Sequence, residues 1–380
     1  MIPNDEQRMI ADMAGAFARE KIVPHAAEWE KTATFPAPIF AEMGKLGLMG
    51  MTVPEEWGGA GADYVAYAMA LEQIAWGDGA VAMVMSGHNS VGCMPILEYG
   101  SAEQKDRYLR PLARGEMLCA FALTEPQGGS DAAALRVRAV RDGDAYVIDG
   151  SKQFITTGKN ADLTLVLALT DPDAGKRGIS CFIVPTDTPG YEVVRLEQKM
   201  GLNASDTAQL SFNRMRLPPD ALLGEEGQGY RIALSNLEGG RIGIASQAAG
   251  IARAAYEAAL AYAQERQAFG KPIFEHQAVA FRLADMATEL AAARQLIWHA
   301  AALRSAHQPC LKEASMAKLY ATDMAERVCS GAVQTLGGYG YLRDYPVERY
   351  YRAVRGARIY EGTNDIQKLV IARDLAANQG

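Results

Sequence analysis

The spacing of apolar residues changes twice along this chain, and each change alters what the following segment can become. From Asp5 to about Arg114 they recur at three- and four-residue intervals, the period of a helix with one buried face. Near Met117 the interval shortens toward two. The runs Met117 to Leu123, Tyr146 to Ile148, Leu163 to Leu169, Ile179 to Val184, Tyr191 to Leu196 and Ala208 to Phe212 are separated by Asp-Gly, Asp-Pro and Thr-Pro-Gly turn signals, as in short strands. Pro218-Pro219-Asp220 and the Gly224 to Gly229 cluster close this segment, and from Tyr230 the helical period returns. Ile244, Ala248, Ile251, Ala255, Ala259 and Tyr262 line one face, and Leu283, Met286, Leu290, Ile297, Ala300 and Leu303 line a second. A third helix is expected over Leu311 to Leu336 and a last one after Gly362. The expected fold class is α+β and multidomain: an N-terminal α-helical domain over 1–116, a middle antiparallel β-barrel or sandwich over 117–228, and a C-terminal four-helix bundle over 229–380. This order is not the alternating βαβ of a dinucleotide fold.

Local signals refine the first segment. Phe35-Pro36-Ala37-Pro38 precedes a helix from Ile39 to Leu46, and Val53 to Gly61 reads as a glycine-rich loop. Helices follow over Tyr64 to Trp76 and Ala80 to Met94, and Ser101-Ala102-Glu103-Gln104 has the pattern of an N-cap. Charge excludes some partners: 38 basic against 45 acidic residues, a net charge of -7 and no Lys/Arg run argue against nucleic acid or an anionic membrane surface. Five scattered cysteines with no C-x-x-C and five separated histidines with no H-x-x-x-H argue against a disulfide framework and a metal site. The polar start at Met1 to Glu20 does not resemble a signal or transit peptide, and no apolar run approaches the ~20 residues of a membrane span. The expectation is a cytoplasmic protein, or one of the mitochondrial matrix had a transit peptide been removed.

Reactive chemistry is suggested by Arg358-Ile359-Tyr360-Glu361-Gly362-Thr363-Asn364-Asp365. A lone carboxylate follows an apolar and aromatic pair and precedes a helix start, and a glutamate pressed against apolar walls gains basicity through desolvation. The plainer account is a surface glutamate beside a turn. Leu123-Thr124-Glu125-Pro126 to Gly129-Ser130-Asp131 ends a strand in hydroxyls and two glycines, suited to phosphate or a heterocycle edge but also to an ordinary hairpin loop. Gly150 to Gly158 places Phe154 and two threonines at a strand end, which is either a binding edge or sheet surface. Arg266, beside Phe269 in Gln264 to Ile273, is either a pyrophosphate clamp or a cation serving a helix dipole. The glycines of Gln334 to Tyr341 permit close approach of a ligand or simply end a helix.

Taken together, in this order, these segments resemble the acyl-CoA dehydrogenase flavoproteins over essentially the whole chain. The 123–131 stretch and the Gln334 to Arg349 stretch are similar to that family's two signature regions, and Val53 to Gly59 and Glu265 to Lys271 are similar to two further phrases. The resemblance implies FAD as cofactor. It implies that Leu123, Thr124, Phe154 and Thr156 meet the flavin, with Gly129 and Ser130 at cofactor and CoA phosphates. It implies that Arg266, Phe269, Gln277, Gln334, Gly337 and Gly338 reach the FAD of a neighbouring subunit, in a homotetramer or dimer, while Thr363 and Asp365 hold FAD beside the base. Glu361 falls at the catalytic base and Arg241 where an arginine positions it; Ser130, Glu238, Arg241, Tyr360 and Gly362 fall at substrate-binding positions. The implied reaction is α,β-dehydrogenation of an acyl-CoA, with the thioester oxygen held by a backbone N–H and a cofactor hydroxyl, and electrons passed to an electron-transferring flavoprotein.

Departures from the family's pattern are equally specific. Phe154 stands where tryptophan is frequent, Asn203 replaces a frequent arginine, and Ala353 occupies a position usually held by aspartate, so one expected ion pair is missing. Gly240 leaves the other known location of the base empty. Gly239 to Ile242, Ser315 to Leu319 and Gly338 to Leu342 are most similar to short-chain and short branched-chain members, with butyryl-, isobutyryl- or 2-methylbutyryl-CoA as expected substrates. The rivals are a flavin oxidase of the same fold and a catalytically idle flavoprotein that binds a partner; the acidic balance and Glu361 oppose the latter.

Overall fold

The computed structural model describes residues 1–377, so the end of the expected bundle domain at 380 lies outside the described residues. The N-terminal helices are α1 (Asp5–Phe17), α2 (Val23–Thr32), α3 (Ala37–Lys45), α4 (Tyr64–Gly77), α5 (Gly79–Gly87), α6 (Met94–Tyr99), α7 (Ala102–Gln104) and α8 (Arg110–Ala113). Ser101 caps α7 through the reciprocal bonds of a capping box, Gln104 N to Ser101 Oγ at 3.2 Å and Ser101 N to Gln104 Oε1 at 3.0 Å. The helix expected over Ala80 to Met94 is interrupted: a π-helical turn, His88–Cys93, joins α5 to α6. The span Gly79–Tyr99 has the length and composition to cross a membrane, yet 78% of its apolar 18-residue window is buried in the protein, as for a core helix.

The middle segment forms one eight-stranded sheet from β1 (Cys119–Ala122), β2 (Arg138–Asp142), β3 (Ala145–Thr156), β4 (Leu163–Leu169), β5 (Ile179–Pro185), β6 (Tyr191–Leu196), β7 (Thr207–Leu217) and β8 (Leu222–Leu223). Its order is β6-β7-β3-β2-β4-β5-β8, with β1 beside β4. Most pairs are antiparallel as expected. The exceptions are β1, which runs parallel to β4 from Cys119↔Leu163 to Ala122↔Val166, and a single parallel pairing of Arg138 with Leu169. Strand β2 is polar and exposed along most of its length, so its period carries no signal. Strand β3 extends well past Ile148, through two irregularities in its pairing with β7, and delivers Lys152 to Thr156 to the far end of the sheet.

Alternation in β4 and β5 explains how this sheet sits. Leu163, Leu165, Leu167, Ile179, Cys181 and Ile183 pack on Ile96, Leu109 and Leu112, while Val166, Ala168, Phe182 and Val184 turn to a second core with Ile148 and Phe212. Both faces of those strands are therefore buried.

The third segment holds α9 (Gly229–Ser235), α10 (Leu237–Glu265), the small hairpin β9 (Gln267–Ala268) and β10 (Lys271–Pro272), α11 (Gln277–Ser305), α12 (Leu311–Leu336), α13 (Val347–Ala357) and α14 (Asn364–Ala377). One helix was expected after the third long one; two are present, divided at Arg358–Thr363. The N-terminal helices and this bundle share one apolar core. Helix α10 is buried continuously from Gly239 to Ala252, because α4, α11 and α12 pack around it.

The Asn203 and Ala353 departures meet at one junction. Glu30 of α2 accepts from Asn203 N at 2.7 Å and Asn203 Nδ2 at 2.9 Å, and pairs with Arg352 at 2.6 Å. Glu30 thus ties all three segments together.

His88 stitches the π turn to its surroundings. Its Nδ1 accepts from Cys119 N at 3.2 Å, so Nε2 carries the proton and donates to Leu112 O at 3.0 Å. Burial lowers its pKa from 6.5 to about 4, against the opposing pull of Leu112 O and Asp162. The unfolded chain thus binds more protons between those values, and stability falls as pH drops through that window, by at most about 3 kcal/mol from this group. Urea midpoints measured from pH 7 to 4.5 should decline more steeply in the wild type than in His88→Gln, whose side chain does not titrate.

Candidate active site

The Arg358–Thr363 connection is a turn of unusual backbone. Glu361 has φ 56° and Gly362 φ 83°, two successive left-handed residues, which for a glutamate costs roughly 1 kcal/mol. The surroundings hold it there. Asn364 N donates to Arg358 O at 3.0 Å, and Gln367 Nε2 donates to Gly362 O at 2.9 Å and Glu361 O at 3.2 Å. Lys318 Nζ donates to Gly362 O at 2.9 Å, and Thr363 caps α14 by accepting Ile366 N at 3.3 Å. Arg358 is tied to α12 through Asp323 at 2.8 Å and Glu326.

The carboxylate faces the start of α10. Glu361 keeps partial exposure as a residue, yet its Oε1 is sealed from solvent and has no hydrogen-bond partner. A Cβ on Gly240 would lie 1.9 Å from that oxygen and 2.7 Å from Glu361 Cδ, so glycine is required there for steric room. Burial raises the pKa of Glu361, opposed by the cations Arg241 and Lys318. Arg241 is itself buried; one guanidinium nitrogen reaches Ser315 Oγ at 3.2 Å, and its Nε has no partner. Tyr360 donates to Gln247 Oε1 at 2.9 Å, which fixes the residue before Glu361. Glu238 is engaged by Arg304 at 2.8 Å. A buried, unpartnered carboxylate and an unpartnered guanidinium nitrogen on one site suit proton abstraction from a bound carbon acid.

A second group lies where β3 meets the loop after β1. Leu123 and Thr124 are half-buried, Gly129 and Ser130 exposed, and Gln153 N donates to Thr124 O at 2.9 Å. Phe154 is 61% exposed with φ 60°, and Thr156 is half-buried nearby on the same strand. Sequence reasoning missed what holds this edge: Lys152, wholly buried, donates to Leu123 O at 2.9 Å and pairs with Glu125 Oε1 at 2.8 Å. Glu125 also accepts from Arg136 N and Val137 N at 2.7 and 3.1 Å. Burial works against its charge, but Lys152 and these donors outweigh it and hold its carboxyl below the ordinary range. Both residues lay inside noted motifs, with nothing in the chain to pair them.

A third group gathers beyond the other end of α10. Arg266, Gly337 and Gly338 line one pocket with Tyr262 and Tyr339, and the Arg266 guanidinium lies 5.6 Å over the Tyr339 ring with no carboxylate partner among the described residues. Phe269 is 96% exposed in the β9–β10 hairpin, Gln277 begins α11, and Gln334 lies in the last turn of α12, both exposed. A Cβ on Gly337 or Gly338 would meet nothing within 4 Å, leaving an open cradle. An unpaired cation, an exposed aromatic and bare backbone fit a dinucleotide. Gly240 and Arg266 stand about 40 Å apart along α10, so the group of Arg266 and the group of Glu361 cannot serve one cofactor molecule within a single chain. Thr363 sits at the turn itself, and Asp365 is exposed on α14 beside Lys368.

Family models for acyl-CoA dehydrogenases match the chain in three parts: the N-terminal domain over residues 4–116, the middle domain over 120–215 and the C-terminal domain over 227–376. An acyl-CoA dehydrogenase of Bacillus subtilis is 51% identical over 370 residues, covering 97% of this chain and 98% of its own length. The mitochondrial short-chain specific acyl-CoA dehydrogenase of Bos taurus is 46% identical, covering 98% of this chain and 90% of its own. Among solved structures, butyryl-CoA dehydrogenase of Megasphaera elsdenii superposes with a TM-score of 0.97 at 39% identity over 99% of both chains. A chain in a structure of the electron transferring flavoprotein of Acidaminococcus fermentans matches with a TM-score of 0.97 at 44% identity, again over 99% of both chains.

Gly240→Ala tests the steric account. The added methyl displaces the Glu361 carboxylate without removing any reactive group, so turnover should fall about 10²-fold while the thermal midpoint moves little. Parallel assays of rate and unfolding temperature check it.

Proposed function

We propose that this chain, which belongs to the acyl-CoA dehydrogenase family, dehydrogenates short acyl-CoA thioesters, straight or with a short branch, to the 2-enoyl-CoA, with Glu361 as the base. The protein is an FAD-dependent oxidoreductase. The observation that carries the base assignment is the sealed, unpartnered Oε1 of Glu361 beside Gly240. A thioester α-proton is weakly acidic, and a carboxylate removes it only if burial has strengthened that carboxylate as a base. Glu361 meets that condition through desolvation, which Arg241 and Lys318 oppose by favouring its charged form.

The residues divide the work. The backbone N–H of Glu361 has no partner among the described residues, and we assign it to the thioester oxygen, where negative charge develops as the proton leaves. Arg241 orients the carboxylate. Tyr360 and Gly362 flank the acyl group, and Glu238 and Ser130 lie toward the CoA portion. Thr124, Leu123, Gly129, Phe154 and Thr156, with Thr363 and Asp365, would hold the flavin half of FAD, while Arg266, Phe269, Gln277, Gln334, Gly337 and Gly338 would hold FAD of a neighbouring subunit. The separation of these sets along α10 supports a site shared within a homodimer or homotetramer. When bound, FAD supplies the acceptor for the substrate β-hydride. Substrate expels water from the Glu361 side, which strengthens every charge interaction there.

Short substrates are supported by the short-chain specific and butyryl-CoA relatives. An electron-transferring flavoprotein is the proposed acceptor, and bacterial relatives support a cytoplasmic setting. A second reading has one observation behind it, because the prolyl acyl carrier protein oxidase AnaB shares the fold with a TM-score of 0.95 at 32% identity. Reduced enzyme that stays bleached in air with product bound supports the dehydrogenase; rapid recovery supports an oxidase.

Anaerobic titration with a panel of straight and branched acyl-CoA thioesters should bleach the flavin most readily with four- or five-carbon acyl groups, each methylene away from the optimum costing about 1 to 3 kcal/mol. Glu361→Gln should keep FAD and bind acyl-CoA, yet reduce its flavin 10²- to 10⁴-fold more slowly, on the order expected for loss of a general base. Reduction at the wild-type rate in that variant removes the base assignment.

A further inference from the structure

Lys318 on α12 is wholly buried, and among the described residues no carboxylate pairs with it at contact distance. Its ammonium donates to Gly362 O at 2.9 Å and Asn364 Oδ1 at 3.0 Å. Both acceptors belong to the turn that carries Glu361. Asn364 is held in turn through Nδ2 to Asp323 at 2.8 Å. A buried ammonium without a paired acid is costly, and it persists only where its surroundings use the charge.

We propose that Lys318 is a positioning residue for the reaction: its ammonium locks the left-handed Glu361–Gly362 turn and places a fixed positive charge there that favours the charged form of Glu361. The charged groups around the pair are few. Arg241 from α10 and Lys318 from α12 are the cations acting on Glu361, and Tyr67 of α4, whose hydroxyl burial keeps protonated, faces it from the N-terminal side. Acting on Lys318 are Glu361 and Asp323, which favour its charge, and Arg241 and Arg358, which oppose it. Arg358 already shares Asp323 with Asn364, so Glu361 is the carboxylate left to balance Lys318. Burial, resisted most by Glu361, takes the ammonium down to about 8, within reach of neutral pH. The two charges therefore sustain each other. Once Glu361 takes the substrate proton, this mutual support ends, and the turn is left holding a neutral acid beside a cation that favours its return to carboxylate.

The inference rests on Glu361 as base, and its test separates the two claims. Flavin bleaching of the holoenzyme by butyryl-CoA is followed across pH in the wild type, Lys318→Gln and Lys318→Arg. Glutamine keeps a donor for Gly362 O but no charge, so the acid limb of the profile should move upward by on the order of one pH unit, with slower bleaching at neutral pH. Arginine keeps the charge, and its limb should stay at the wild-type position even if its rate is lower. A limb that Lys318→Gln leaves in place, or that Lys318→Arg moves equally, overturns the proposal. If Lys318→Gln does not fold or loses FAD, Asn364→Asp replaces it: a carboxylate against Lys318 competes for its charge and must raise the same limb, and an unmoved limb overturns the proposal. Wild-type bleaching by Glu361→Gln would instead sink the base assignment, whereas failure here leaves Glu361→Gln inactive and only the role of Lys318 lost.

Discussion

A carboxylate kept out of water opposite two buried cations is the arrangement on which the rest of this molecule depends. Glu361 has its Oε1 sealed and unpartnered, Arg241 and Lys318 face it from different helices, and Gly240 yields the space it occupies. None of the three supports is near Glu361 in the chain. Desolvation and cation attraction pull its basicity in opposite directions, and desolvation is the larger of the two.

Two devices keep that balance in place. One is the backbone of the turn, where a glutamate and a glycine adopt left-handed conformations held by Lys318 and Gln367. The other is α10, whose small residues let α4, α11 and α12 close around it. Its first turn presents Gly240 and Arg241 to Glu361, and its far end carries Arg266 to the pocket with Tyr339. One rigid helix thus sets the distance between the Glu361 site and the Arg266 pocket. The Glu30 junction extends this rigidity to the sheet, since Asn203 and Arg352 both bond the same carboxylate. The buried Lys152–Glu125 pair does the same locally for the edge bearing Thr124 and Phe154.

Much of this was legible beforehand. The three long helices, the strands β4, β5 and β6 and the capping box at Ser101 follow from periodicity and turn chemistry, because each is settled by neighbours within a few residues. Strand β2 and helix α13 were not visible. The former is mostly exposed and shows no clean period; the latter does carry a helical period, with Val347, Ala353, Val354 and Ala357 on one buried face, but its eleven residues are rich in arginine and tyrosine and offer only short apolar side chains. The parallel pairing of β1 with β4 was hidden too, since pairing direction depends on how the intervening chain returns.

By itself the sequence determined the α, β, α order, the resemblance that names the family, and the suspicion attached to Glu361. Those depend on residue types at fixed separations along the chain, which the chain displays directly. Only the tertiary structure decided that Gly240 leaves room for the carboxylate, that Lys318 holds its turn, and that Lys152 meets Glu125. These are contacts between residues tens to more than a hundred positions apart, and burial and charge act through space, so no local pattern can encode which distant side chains will share one dry site.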